Sequence, residues 1–386
     1  MLLTDERIGA SFIDPSTWAE VRLERIAHNI VEIKRIINSK VLMMAVVKAN
    51  AYGHGMNRIA RQAVKSGADM LGVARINEGI ELRKAGLDTP VLIFGFTHQS
   101  HALQLIEYDL TQTVFSFENA KALSEAANAC GKKIKVHLKV DTGMGRLGFW
   151  SAETNKIVNE IISTAGLTAL EIEGLYTHFA GADGRDKTYS HLQYNFFLDV
   201  LNRLRLKGFQ PPIRHAANSA AIIDLPETCL DMVRAGIMIY GLYPSDEVKK
   251  ERVDLKPVMT LKTRVTHVKR VPAGFRVSYG STYKTAGPTV IATVSIGYGD
   301  GLSRLLSSNG HMLLHGRKAP IAGRVCMDMT MLDAGNMPDV STGDEVVVFG
   351  EQGKASITVD QIAKAAGTIN YEIVAGLSDN IPIILT

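Results

Sequence analysis

The stretch Val41-Leu-Met-Met-Ala-Val-Val-Lys48 decides how this chain is read. Seven apolar residues run without polar alternation and stop at a lysine, the pattern of a strand buried on both faces whose end meets a polar rim. Similar runs recur near residues 70–74, 91–95, 112–115, 134–140, 173–177, 213–216 and 231–233. Between them apolar residues fall at helical spacing, as Ile26, Ile30, Ile33 and Ile37 do on one face. Eight such strands alternating with helices predict an α/β chain with a closed (β/α)8 TIM-type barrel, with an open doubly wound sheet as the competing reading. The barrel is favoured because Lys48, Arg75, Lys139, His178, Asn218 and Arg234 fall at or just past strand ends, the face on which barrel sites gather.

Near residue 250 the texture changes. Residues 243–257 are charged and proline-bounded, a linker by composition, and the chain beyond them is mostly β: Met259, Leu261 and Val265 alternate with Lys262 and Arg264, and 289–296 and 345–349 read as strands. One helix is expected over 359–366, stopped by Gly367. The expected division is a barrel over 14–245 and a β-rich C-terminal domain over 246–386, joined by the N-terminal segment 1–13.

With 386 residues, two unequal domains are expected, and 46% hydrophobic with 21% charged residues leaves no room for a long disordered tract. The 43 basic and 39 acidic residues give +4 with no dense basic block, so neither nucleic acid nor a membrane surface is an expected partner; a small molecule is. Three cysteines without paired spacing suggest no zinc or other metal site and a reducing, cytoplasmic compartment. The longest apolar run, seven residues, falls far below the ~18 that span a bilayer. Asp5, Glu6 and Arg7 interrupt the start before a signal peptide's apolar stretch could develop.

Lys48 is the first candidate for chemistry. Burial at a barrel mouth disfavours its ammonium form, and a neutral amine can condense with an aldehyde. The loop after it, Ala49-Asn-Ala-Tyr-Gly-His-Gly55, holds two glycines and a tyrosine able to bond a phosphate. No Gly-x-Gly-x-x-Gly follows this strand, which disfavours a dinucleotide site at its end.

Val47-Lys-Ala-Asn-Ala-Tyr-Gly-His-Gly55 resembles the lysine motif of the alanine racemases, which use pyridoxal 5'-phosphate. Further blocks match that family in order: Leu138-Lys-Val-Asp-Thr-Gly-Met-Gly-Arg-Leu-Gly148, Tyr176-Thr-His-Phe179, Asn218-Ser-Ala-Ala221, Val233-Arg-Ala-Gly-Ile237, Val277-Ser-Tyr-Gly280, Ile296-Gly-Tyr-Gly-Asp-Gly301, Gly323-Arg-Val-Cys-Met-Asp328 and Ile369-Asn-Tyr-Glu372. The resemblance implies a homodimeric isomerase of L- and D-alanine that supplies D-alanine for peptidoglycan. It makes Lys48 the cofactor-bearing lysine and one of two acid/base groups, with Tyr279 reaching in from the partner subunit as the other. Two opposed groups are what inversion at Cα needs, one to remove the proton and one to return it on the opposite face. A tyrosine base, ordinarily near pKa ~10, needs cations beside it.

By the same resemblance Arg234 faces the pyridine nitrogen of the cofactor. A guanidinium donates and cannot accept a proton, so that nitrogen stays unprotonated. Arg146 matches the arginine near the cofactor's phenolic oxygen and the substrate carboxylate, Lys139 a lysine often carried as a carbamate, and His178 a histidine beside the cofactor. Asn218, Ser219 and the backbone of Gly236 and Ile237 fall where barrels hold phosphate, and Tyr52 and Tyr371 complete the cofactor set. Met327 matches a backbone contact to the substrate carboxylate. Asp183, Tyr298, Arg304 and Arg324 match the substrate entrance.

Two departures stand out. Family members usually end in an arginine-rich block, whereas Ala375-Gly-Leu-Ser-Asp-Asn-Ile-Pro-Ile383 stands here, and Gly181 and Gly184 replace bulkier residues. Both point to an altered entrance and a broader range that includes serine. The competing readings are a decarboxylase of the same barrel type, whose glycine-triplet phosphate loop is absent, and a non-catalytic cofactor carrier, which would need no second domain.

Overall fold

The computed structural model describes residues 15–335, 337 and 339–386; the segment 1–13, expected to join the C-terminal domain, lies outside them. Among the described residues the chain divides into two compact units, Arg22–Val258 and a second made of Met259–Thr386 with residues 15–21.

In the first unit the helix Leu23–Ile36 buries Ile26, Ile30 and Ile33 on one face, and Ile37 follows at the C-cap with extended backbone. Burying three such side chains stabilises by about 2–3 kcal/mol each, and Lys34 and Arg35 in the last turn suit the negative end of the helix dipole. Counting the early strand Thr17–Val21 as β1, eight parallel strands follow: β2 (Leu42–Val46), β3 (Met70–Val73), β4 (Val91–Ile93), β5 (Thr111–Val114), β6 (Ile134–Lys139), β7 (Leu170–Tyr176), β8 (Ile213–His215) and β9 (Met232–Ala235). They close into a barrel, with β9 paired to β2 from Leu42↔Met232 to Ala45↔Ala235. Met44, Met70, Leu92 and Met232 pack together as an apolar cluster, with Phe94 and Ile213 against it.

Residues 243–257, read as a linker, are part of this unit. Val248, Val253 and Leu255 are buried. The Asn29 amide donates to the carbonyls of Ile239 and Lys256 at 3.1 and 3.0 Å and accepts the Lys256 N–H at 2.8 Å. Further bonds tie the segment to the first helix, the Asp254 N–H donating to Glu32 Oε2 at 3.0 Å and Arg35 to the Arg252 carbonyl at 2.9 Å. The unit therefore runs from Arg22 to Val258, where composition drew 14 and 245.

The second unit is a sheet of order β15-β14-β17-β10-β1-β19 built around β10 (Met259–Val271), the others being β14 (His311–Leu314), β15 (Arg317–Pro320), β17 (Glu345–Gln352) and β19 (Ile383–Leu385). Against β10 lies β13 (Thr289–Val294), which pairs with β16 (Thr330–Gly335). Strand β1 is antiparallel to β10 in the register Thr17↔Thr263 to Val21↔Met259. The helix Val359–Ala366 is capped reciprocally by Thr358 and Gln361 and stops before Gly367, as expected. Among the described residues no helix is long and apolar enough to cross a membrane.

Candidate active site

Lys48 follows β2 and opens a turn that no right-handed helix continues. Ala49, Asn50, Ala51 and Tyr52 all have φ of 51 to 53°, a left-handed conformation that costs an L-residue about 1–2 kcal/mol. Hydrogen bonds hold it: Ala51 N–H to the Val47 carbonyl at 2.9 Å, Met56 N–H to Asn50 Oδ1 at 2.9 Å, and His54 Nδ1–H to the Tyr52 carbonyl at 2.8 Å. The Tyr240 hydroxyl donates to the Val46 carbonyl at 2.9 Å, and its ring packs 4.8 Å from that of Tyr52. Lys48 is thereby aimed at the mouth of the barrel. Burial first, then the Arg146 cation, press its pKa below the ordinary lysine value, while the Glu78 carboxylate opposes them.

Four cationic side chains share this mouth: Lys48 after β2, Lys139 at the end of β6, Arg146 in the loop after β6, and Arg234 on β9. Lys139, at the end of β6, is brought down to about 8 by burial, with Arg146, Arg234 and Lys48 adding to it and Asp141 opposing. Asp141 spends both oxygens on the backbone: Oδ1 accepts from Gly143, Met144 and Gly145 and Oδ2 from Arg146, at 2.9 to 3.1 Å. That carboxylate fixes the loop carrying Arg146, which lines a cleft of about 310 Å³ with Leu147, Gly148 and Trp150. Gly148 has φ +146°, and a Cβ there would lie 2.2 Å from the Asp141 nitrogen, so the loop closes only around glycine.

Arg234, at the end of β9, is buried and held down to about 10 chiefly by that burial. One amino group donates to His215 Nδ1 at 2.9 Å; the other donates to the Thr177 and Ala216 carbonyls at 2.8 Å and to His178 Nδ1 at 3.2 Å. All four acceptors are neutral. Because arginine only donates, His215 carries its proton on Nε2 and gives it to His137 Nδ1 at 2.8 Å. Burial, reinforced by Arg234, keeps His137 at about 3 and His178 and His215 well below the ordinary range, so all three are uncharged. Tyr176 stacks on His215 with ring centroids 4.5 Å apart.

A cradle lies beside these cations. Ser219 Oγ accepts the Gly236 N–H at 2.9 Å, and a Cβ on Gly236 would meet Tyr52 Oη at 3.0 Å and Ser219 Oγ at 3.6 Å. Two hydroxyls thus face the space a glycine leaves open. The Gly236 amide, expected to face a phosphate, is already taken by Ser219, whose own hydroxyl proton is the one left to donate. Ile237 opens the short turn Ile237–Tyr240, and Asn218 serves as an N-cap by accepting the Ala221 N–H at 3.1 Å. Asp183 is exposed, in a loop tied by Lys187 to the Ala182 and Gly184 carbonyls and to the Asp224 carboxylate at 2.6 to 2.8 Å.

In the second unit three loops bring their candidates together. Tyr279 is 71% exposed and follows Ser278, whose φ is +67°. The Arg324 guanidinium lies 3.3 Å from where a Gly280 Cβ would sit, and Ser278 donates to the Arg324 carbonyl at 2.6 Å. Tyr298 N–H donates to the Cys326 carbonyl at 2.9 Å and Gly299 N–H to the Met327 carbonyl at 2.7 Å. The exposed Arg304 sits in a turn tied to this group, since Ser307 accepts the Val325 N–H at 3.1 Å. Tyr371 is half-buried on the helix Asn370–Ala375.

Sequence reasoning missed Glu78, Tyr176, His137 and His215. The last three were detectable as polar residues within the predicted strands 134–140, 173–177 and 213–216; nothing in sequence ties Glu78 to Lys48, which precedes it by thirty positions.

The model of the alanine racemase N-terminal domain matches residues 21–244 and that of the alanine racemase C-terminal domain matches 258–385. An alanine racemase of Desulfosudis oleivorans is 51% identical over 375 residues, covering 96% of each chain. Among solved structures, an alanine racemase of Clostridium difficile 630 superposes with TM-score 0.92 at 41% identity over 97% of each chain. A histidine racemase of Leuconostoc mesenteroides subsp. sake does so with TM-score 0.87 at 27% identity, over 97% of this chain and 99% of the other.

Proposed function

The chain belongs to the alanine racemase family, and from that premise we propose that it interconverts L- and D-alanine with pyridoxal 5'-phosphate in a two-base reaction shared between two subunits. The family assignment sets aside the decarboxylase and carrier readings. The observation that carries the proposal is the convergence of Lys48, Lys139, Arg146 and Arg234 beside the Tyr52, Ser219 and Gly236 cradle. Four cations with neutral acceptors around the most buried of them suit a dianionic phosphate, a phenolate-type oxygen and a carboxylate, and the donor set fits the cofactor.

The cofactor, when bound, supplies an aldehyde for an amine and a ring into which charge from Cα can spread. Tyr52 and Ser219 hold its phosphate by their hydroxyls, with the backbone of Gly236 and Ile237 and the Asn218 cap shaping the cradle and Tyr371 completing it. Arg234 would face its ring nitrogen as a donor that cannot give up its own proton, which would leave that nitrogen unprotonated, and His178 would lie beside the ring. Arg146 orients the substrate carboxylate together with the Met327 backbone. Lys139, brought to about 8, reaches its neutral form at mild pH, the form that attacks carbon dioxide and releases a proton to solvent to give a carbamate; the resulting anion would hold Arg146 in place.

Lys48 Nζ and Tyr279 Oη of the partner subunit then move a proton off and onto the substrate Cα from opposite faces. The exposure of Tyr279 and the closeness of Arg324 suit a group that works outside its own subunit. On this reading the substrate entrance falls to Asp183 in the first unit and to Tyr298, Arg304 and Arg324 in the second. D-alanine made in the cytoplasm would serve peptidoglycan; three free cysteines, one of them exposed, support a reducing compartment.

The test is incubation in D2O with L-alanine and then L-serine, following chirality, Cα deuterium and CO2. D-alanine carrying Cα deuterium is expected, with slower turnover of serine. Deuterium exchange without inversion leaves one base at work and overturns the two-base reading. Replacing Arg234 by Glu is expected to raise release of the 2-keto acid, the transamination product that an unprotonated ring nitrogen suppresses.

A further inference from the structure

Glu78 lies on the helix Ile76–Lys84, outside every motif that marks the site. Its carboxylate nevertheless reaches the residue after Lys48: Oε1 accepts the Ala49 N–H at 2.7 Å, while Oε2 accepts the Ala74 N–H at 2.7 Å and the Arg75 N–H at 2.9 Å. Three backbone donors from the ends of β2 and β3 meet on one acceptor-only group. The Ala49 amide matters most. A peptide unit is planar, so fixing the Ala49 N–H fixes the Lys48 carbonyl and with it ψ of Lys48, the torsion that sets where its Cα–Cβ bond points. The left-handed turn after Lys48 would relax if this anchor were lost, since each of its four residues sits in a disfavoured conformation.

We propose that Glu78 is the positioning residue of Lys48: its carboxylate locks the left-handed turn from behind, aims the lysine into the barrel mouth and sets the charge balance around its amine. This rests on the reading of Lys48 as the cofactor-bearing lysine. The groups whose charge bears on Lys48 are Arg146, Lys139 and Glu78, with His178 neutral beside them. Glu78 is the anion among them. It favours the ammonium form against burial and Arg146, so its removal pushes the amine further toward the neutral form.

Glu78→Gln tests this, because the side chain keeps its shape while an NH2 group must now face a backbone N–H. The full chain is stripped of pyridoxal 5'-phosphate and resupplied with it across a pH series. Attachment is followed by absorbance, and the attached residue is identified by borohydride reduction and peptide mass. Each charge-assisted hydrogen bond lost is worth about one to two factors of ten. The plateau rate of attachment is therefore expected to fall about tenfold to a hundredfold, and the pH midpoint to move down. Glu78→Asp, which keeps the charge on a shorter arm, is expected to restore the midpoint and part of the rate, and it carries the test if the glutamine variant does not fold. An unchanged rate, or a lower rate at an unmoved midpoint, overturns the proposal, the second because it signals only a loosened fold. A wild-type chain that carries no adduct at Lys48 refutes the cofactor reading itself and takes this proposal with it.

Discussion

Lys139 shows how a single buried side chain couples site chemistry to stability. Its folded pKa of about 8 lies below the 10.5 of an ordinary lysine, burial being the first cause and the Arg146 and Arg234 cations the next. Between those values the unfolded chain holds a proton that the folded one has lost, so stability rises with pH across that window and the penalty is fully present below about 8. Lys139→Met, close in shape and uncharged, is expected to stabilise the chain at pH 7 by at most about 3 kcal/mol, with the gain disappearing as pH rises through 10. Thermal melts of the cofactor-free protein at pH 7 and 10.5 check it; equal midpoints for variant and wild type at pH 7 count against it. Arg234 answers to geometry more than to charge. Arg234→Lys keeps the cation but cannot reach His215, Thr177, Ala216 and His178 together. A loss of about 2–3 kcal/mol is expected from the orphaned acceptors, read as a lower denaturant midpoint.

Among the elements, those legible in sequence were the ones whose burial is symmetric. The strands β2, β3 and β4 are apolar throughout and write uninterrupted runs, while β5 to β9 carry polar residues among their apolar ones; Ile26, Ile30 and Ile33 write the face of a helix. Three things escaped. The strand Thr17–Val21 joins the β unit because its partner is Met259–Val271, a pairing that no local pattern encodes. The charged segment 243–257 is tied to the first helix by hydrogen bonds with Asn29, Glu32 and Arg35, long-range polar contacts that its composition does not reveal. The left-handed turn at 49–52 was invisible because Ala and Tyr disfavour it and the one residue that tolerates it, Asn50, does not signal four in a row; it is imposed by Glu78, His54 and Tyr240. Ala49 is exposed, so Ala49→Gly removes the left-handed penalty of about 1–2 kcal/mol without emptying the core, less about 0.5–1 kcal/mol of added chain entropy. A small rise in the thermal midpoint is expected, and a fall would mean that the turn is not strained. Gly148→Ala goes the other way. Its methyl would collide with backbone at Asp141, and displacement of the Arg146 loop is expected to raise KM for alanine more than it lowers the melting temperature.

At the scale of the whole molecule, the site candidates are split between two units of one chain, and the reading of Tyr279 as a base makes each site depend on two chains. That dependence can be separated from ordinary loss of function. Lys48→Ala removes one proton carrier and Tyr279→Phe the other, so each variant alone is expected to be inactive. In a mixed dimer, one site joins the intact Lys48 of the tyrosine variant to the intact Tyr279 of the lysine variant, while the second site has neither. Random exchange makes half the dimers mixed and leaves one of their two sites whole, so unfolding and refolding an equimolar mixture is expected to restore roughly a quarter of wild-type racemisation. Because Tyr279 stands exposed on its own unit, the substitution leaves that unit's packing intact, and near-wild-type melting of each variant would verify this. Activity restored to that level requires a residue supplied in trans. Two inactive variants that remain inactive after mixing, while still forming dimers by sedimentation, would place both bases in one chain and overturn the assignment of Tyr279 to the partner's site.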